Sequence, residues 1–168
     1  MKTLRPALVA VAAFALLALA PGCSPNIDLS RAVAMAEVTT GWFDAGIIRT
    51  PEGEMNKLVP SISFVLANKG SVKVASVQIN AVFKQAANEM EWGSAWVMGI
   101  GPEGLAPGAA TLPIVLRCLM GHTGLQPRAQ MLENKLFVDA RVFVYGKYGS
   151  ANWVKLGEYQ IQRQLLTR

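Results

Sequence analysis

The sequence is poor in the residues on which active-site chemistry draws. It carries one histidine, His122, and two cysteines, Cys23 and Cys118, among 168 residues. Every His-dependent triad or metal cluster must pass through His122. Tetrahedral zinc needs about four ligands, or three and a water, and one Cys with one His falls short. Charge is scarce as well: Asp, Glu, Lys and Arg make up 16% of the chain, against roughly 25% in ordinary soluble domains. The basic residues stand singly, without runs or interleaved aromatics, so the electrostatic footprint of a nucleic-acid surface is missing. Carboxylates come close together only as Glu52 with Glu54 and Glu89 with Glu91, too thinly for a calcium site. No metal and no cofactor is expected. Gly99-Ile100-Gly101-Pro102-Glu103-Gly104 fits G-x-G-x-x-G as a string. Pro102 and the following Leu105-Ala106-Pro107-Gly108 deny the helix whose N-terminus would face a pyrophosphate.

The chain also lacks an apolar run long enough to span a bilayer. The longest, over residues 7–20, is preceded by Lys2 and Arg5, which is the build of a secretory signal. Cleavage after Ala20 would leave Pro21 first in the mature chain, whereas cleavage before Cys23 avoids that. Ala20-Pro21-Gly22-Cys23 resembles a bacterial lipobox, with small Gly22 before the cysteine and with Ala20 where Leu is commonest. The expected organisation is a signal over 1–22, a lipidated Cys23 with a polar tether over 23–33, and one folded domain over 34–168. The open alternative is a soluble periplasmic or secreted protein, in which Cys23 is a plain thiol or pairs with Cys118. Loss of Lys2 and Arg5 reduces sixteen basic side chains to fourteen against eleven acidic ones, too mild an excess for a basic-patch argument.

What is abundant is β pattern. Hydrophobic residues form 52% of the chain, and Ile62, Phe64 and Leu66 alternate with Ser61, Ser63 and Val65. Val77, Ile79, Ala81 and Phe83 alternate against Gln78, Asn80, Val82 and Lys84, and the two runs are expected to pair as a hairpin. Leu112, Ile114 and Leu116 form another set, and Val138, Ala140, Val142 and Val144 another. Gly93 between Trp92 and Trp96, and Gly157 in the last strand, read as bulges. The turn signals predict an all-β fold, a single immunoglobulin-like antiparallel sandwich of six to seven strands. One short helix over 126–134, entered through Pro127, is expected to plug one end; a second, over 29–37, is weaker in pattern.

Pro60-Ser61-Ile62-Ser63-Phe64-Val65-Leu66-Ala67-Asn68, the strand over 74–83 and the turn Leu105-Ala106-Pro107-Gly108 together resemble the water-stress and late-embryogenesis-abundant type 2 domains and the related bacterial FxLYD-type domains. The resemblance covers roughly 58–161. It implies an immunoglobulin-like sandwich acting as a structural or interaction module, with no catalytic residues to carry over. Lys84-Gln85 stand where the FxLYD type has Tyr-Asp, and 118–135 is an additional segment.

Two candidate surfaces remain. Gly121, His122, Thr123, Gly124, Gln126 and Arg128 lie in a loop that interrupts the β array, and loops on rigid sandwiches often carry binding. Trp96, Tyr145, Tyr148 and Trp153 are candidates for an aromatic face. Cys118 and His122 are the one nucleophile and base close in sequence, but the glycines at 121 and 124 leave their geometry unspecified. The expectation is a non-enzymatic lipoprotein, membrane-anchored on the exported side, that binds or scaffolds another envelope protein. Alternatives are a glycan- or small-ligand-binding accessory protein and a Cys118/His122 hydrolase.

Overall fold

A computed structural model describes residues 27–51 and 53–166; the signal and Cys23 lie outside the described residues. After α1 (Leu29–Ala32) come β1 (Val33–Thr50), β2 (Gly53–Asn68), β3 (Val77–Gln85), β4 (Glu91–Ile100), β5 (Ile114–Arg117), β6 (His122–Gly124), α2 (Arg128–Glu133), β7 (Ala140–Tyr148), β8 (Val154–Gln160) and β9 (Leu165–Leu166). One sheet runs β5-β2-β1-β9, with β6 also on β2, and the other runs β4-β3-β7-β8. The chain crosses between sheets after β2, returns after β4, and crosses again after β6. That is the Greek-key traffic of an immunoglobulin-like sandwich.

β1 and β2 form a long hairpin that pairs Thr50 with Gly53. Its register shifts between Ala36 and Thr39 and again between Asp44 and Ile47. Both breaks hold a left-handed residue, Glu37 at φ 52° and Gly46 at φ 88°. At the second, the Asp44 carboxylate accepts from the Gly46 amide at 2.9 Å. Such bulges bend long strands to follow the sandwich.

Between the sheets lie Leu58, Ile62, Phe64 and Leu66 from one side and Val77, Ile79, Ala81, Phe83, Ala140, Val142 and Val144 from the other. Strict alternation in β3 and β7 puts every second side chain here, each worth about 1.5–3 kcal/mol if large and fully buried. The expected bulges are present: β4 slips at Trp92 against Phe83 and Lys84, and β8 slips near Leu156 and Gly157 against Val144 and Tyr145.

Four expectations need correction. The alternating runs of β2 and β3 do not pair with each other; β2 pairs with β1, β5 and β6, and β3 with β4 and β7. Period two fixes which side chains face inward and is silent on the neighbouring strand. The connection 69–76 is pinned to the other crossing by the buried Asn68 amide, which donates to the carbonyls of Val72 and Leu105 at 2.9 and 2.8 Å. Second, the segment given to a tether is folded from Ile27 onward: Ile27, Leu29 and Ala32 are buried, and Asp28 caps α1 by accepting from the Ser30 amide. Third, Leu112 is exposed rather than inward with Ile114 and Leu116. Pro113 offers no amide to the ladder, so β5 begins only at Ile114. Fourth, nine strands rather than six to seven stand among the described residues, the additions being the short β6 and β9.

Candidate functional site

The segment between β5 and β7 closes one end of the sandwich. β6 pairs with Asn56, Lys57 and Leu58 of β2, and this pairing is close. A β-carbon on Gly121 would collide with the Leu58 carbonyl oxygen, so only glycine fits there. The Asn56 side-chain amide donates to the Gln126 carbonyl at 2.9 Å, and Arg128 forms an ion pair with Asp44 at 2.5 Å. α2 then buries Met131 and Leu132, as the plug expected from the sequence does. Arg163 fastens its exit: the guanidinium holds both oxygens of Asp139 and donates to the carbonyls of Leu132, Asn134 and Phe137. Three peptide oxygens left over where a helix ends are thus satisfied by one side chain.

His122 lies in an aromatic box beneath this segment. Its ring stands 5.4 Å from Trp42, 5.3 Å from Trp92 and 4.0 Å from Phe137. Nε2 lies 3.0 Å from the Val138 carbonyl, which accepts only, so Nε2 carries the proton. Burial of the imidazole holds its pKa below the ordinary 6.5, against the Val138 hydrogen bond and with the Arg163 charge. Cys118 is also buried, with Sγ facing Gly93 of β4, and burial raises its thiol pKa. A nucleophilic cysteine needs the opposite shift and a histidine that can take its proton. Cys118 is packed in the core and half-buried His122 is held by the Val138 carbonyl, an arrangement unlike that of an activated pair.

The cleft beside the loop, lined by His122, Thr123, Gln126, Met131, Asn134, Leu136 and Phe137, offers about 80 Å³. Small-molecule sites run to roughly 300–1,000 Å³, so this one has room for only about two or three waters. Of the loop candidates, Thr123 and Gln126 are exposed, while His122, Gly121 and Arg128 are engaged in holding the fold. Two larger clefts flank the sandwich where the sheets part. One of about 430 Å³ is walled by Thr39, Thr40, Tyr159 and three glutamines, Gln160, Gln162 and Gln164. The other, about 330 Å³, lies between Gly99–Leu105 and Thr111–Ile114.

The aromatic candidates divide by strand phase. Asn80 pairs with Trp96 on one side and Tyr145 on the other, so both point outward with it. Phe143 shares that outer face, with the cationic heads of Lys84 and Lys155 5.1 and 5.0 Å from its ring centre. Trp96 and Trp153 are exposed, and Lys147 lies 5.9 Å from the Trp153 ring. Tyr148 pairs with inward-facing Val77 and packs against the core, so it is not part of the outer face. Strand phase also puts Phe143, the neighbour of buried Val142, on the outer face. Nothing in the sequence marks Arg163 or the fully buried Trp42.

No family model matches the chain, and no curated protein matches it. Solved structures are distantly similar. A structural-genomics target, SoR45, aligns at 14% identity with a TM-score of 0.43, over 79% of this chain and 88% of its own. A provisionally named ApaA protein of Bordetella pertussis aligns at 13% identity and a TM-score of 0.41, over 77% and 91%. A protein from Archaeoglobus fulgidus gives 14% and 0.34, over 77% and 98%.

Proposed function

We propose that the protein is a cell-envelope lipoprotein, anchored through Cys23, whose sandwich is a non-enzymatic module that binds or scaffolds another envelope protein. The observation that carries the reading is the outer face of β4-β3-β7-β8. A solvated sheet face ordinarily carries polar side chains, whereas this one sets Trp96, Phe143 and Tyr145 among Lys84, Arg141 and Lys155. Aromatics ringed by polar groups are the composition of a protein–protein contact. The packed states of Cys118 and His122 weigh against the hydrolase alternative. The likeness to late-embryogenesis-abundant type 2 and FxLYD-type modules supports the same reading through residues 60–68 and 105–108.

A glycan is the second reading, favoured by one feature. Trp96 and Tyr145 flank Asn80 on a flat face about 10 Å apart, two strand spacings, so two sugar rings could stack with the amide between them.

The test places a photo-crosslinking residue at Trp96, at Tyr145 and, on the other sheet, at Val115, in the anchored protein in its own envelope. Discrete protein crosslinks from the first two and none from Val115 are expected. Equal crosslinking at all three overturns the surface assignment, and a glycan adduct selects the second reading. Palmitate incorporation that survives Cys23→Ser overturns the anchor.

A further inference from the structure

We infer that the end of the sandwich bearing α1 is a basic cap that lies against an anionic lipid surface. The inference rests on the anchoring of Cys23 proposed above and adds what the anchored end does.

Three connections converge there. The Lys69 amide donates to the Ala32 carbonyl at 2.8 Å, and the Gly149 amide donates to Ser76 at 3.2 Å. Leu29 packs so closely on Gly146 that a β-carbon there would stand 2.8 Å from Leu29 Cδ2. Around α1 the connections 69–76 and 149–153 thus present Lys69 and Lys73 together with exposed Val72 and Trp153, and Lys147, near the end of β7, stands 5.9 Å from the Trp153 ring. None of the three lysines makes an ion pair among the described residues. The carboxylates at this end are Asp28, already engaged by Arg31 and Ser30, and Glu103.

The opposite end is built otherwise. There Asp44, Glu54, Glu89 and Asp139 neutralise Arg128, Arg49, Arg141 with Lys84, and Arg163 in turn. Lys57, Lys135 and Arg117, the last over the Phe43 ring, make no ion pair among the described residues but share that end with Glu91 and Glu133 besides those four carboxylates.

Chain length decides which surface the cap meets. Cys23 precedes the buried Ile27 by four residues, and four extended residues reach at most about 14 Å. An acyl chain on Cys23 therefore holds this end within a short distance of the headgroups. Unpaired lysines attract anionic lipid over about a Debye length, and tryptophan favours the interfacial layer.

The experiment uses the protein purified from its membrane in detergent and exchanged into phosphatidylcholine vesicles with or without phosphatidylglycerol. A fluorophore is attached at Val72→Cys or, at the far end, at Glu54→Cys; buried Cys118 stays unlabelled. A headgroup quencher should dim the Val72 probe severalfold more with phosphatidylglycerol present and leave the Glu54 probe bright. Replacing Lys69, Lys73 and Lys147 by Gln should return the Val72 probe to its level in phosphatidylcholine alone. Equal quenching at both ends, or none lost in the triple variant, overturns the cap. Mass spectrometry of the same sample reads the acyl group independently. If Cys23 is unmodified, the anchor fails on its own, and flotation decides the cap: binding to phosphatidylglycerol vesicles that the triple variant loses roughly tenfold or more sustains it, and binding equal in both overturns it.

Discussion

The two ends of the sandwich spend their tryptophans and cations in opposite ways. At the α2 end Trp42 is buried in a box with Trp92, His122 and Phe137, their rings 4.5–5.8 Å from it, and Arg128, Arg141 and Arg163 are bonded to carboxylates or peptide oxygens. At the α1 end Trp153 is exposed beneath Lys147, and three lysines have no anionic partner among the described residues. Satisfied groups hold a structure, and unsatisfied exposed ones are free to meet a partner. The difference teaches that an unusual sequence need not mean free groups: within 121–128, Gly121, His122 and Arg128 are engaged in the fold, while the plainer stretches at the other end carry lysines without anionic partners.

The sharpest way to break this comparison is to remove one tryptophan from each end. Trp42→Ala empties a fully buried indole site and should cost about 3–5 kcal/mol, a large part of a stability margin of about 5–15 kcal/mol. Trp153→Ala should stay within about 0.5 kcal/mol, as exposed substitutions do. Chemical denaturation of both variants measures the contrast, and losses of similar size would mean that Trp153 also packs in the fold.

The inward sets of β3 and β7, the bulges at Trp92 and near Gly157, and the plug helix were legible because each is a local pattern: alternation, a glycine, a proline. Pairing was not. Ile62 and Val77 both announce an inward face, yet they lie in different sheets, because strand partners are chosen by connections that local pattern does not encode. The burial of Ile27 and Leu29 was missed because Pro25, Asn26, Asp28 and Ser30 give their surroundings the composition of a linker. At the candidate site, strand phase was enough to place Trp96 and Tyr145 outside. It also shows why Tyr148, three residues after Tyr145, falls on the other face. His122 had no such signal; its role depends on Trp42, Trp92 and Phe137, which only the fold assembles.

A smaller effect should distinguish the ends by pH. His122 is half-buried, and the loss of solvation holds its folded pKa below the ordinary 6.5 of the unfolded chain. Between the two values the unfolded state binds more protons, and stability therefore rises with pH. The contribution is complete above about 6.5 and is lost as pH falls through the folded value. His122→Phe keeps an aromatic ring in the box and should flatten that slope, at the expense of leaving the Val138 carbonyl without its donor. Denaturation midpoints taken on both sides of pH 6.5 test this, and an unchanged slope in the Phe variant would assign the titration to another group.

The smallest effect sought is one close to zero. If Lys69, Lys73 and Lys147 serve a partner rather than the fold, replacing all three by Gln should leave the denaturation midpoint of the detergent-solubilised protein nearly unchanged, within about 0.5 kcal/mol. At the other end Arg163→Gln provides the counterexample, because it strips donors from the carbonyls of Leu132, Asn134 and Phe137 as well as from Asp139. Leaving such groups unmet costs about 1–3 kcal/mol. High salt should leave the small difference between the triple variant and the parent unchanged, since the three replaced lysines make no ion pairs among the described residues, and should weaken the Arg163 anchor only in part because hydrogen bonds to peptide oxygens persist under screening. A triple variant that unfolds as readily as Arg163→Gln would show that the lysines at the α1 end stabilise the sandwich itself, and the contrast between the two ends would collapse.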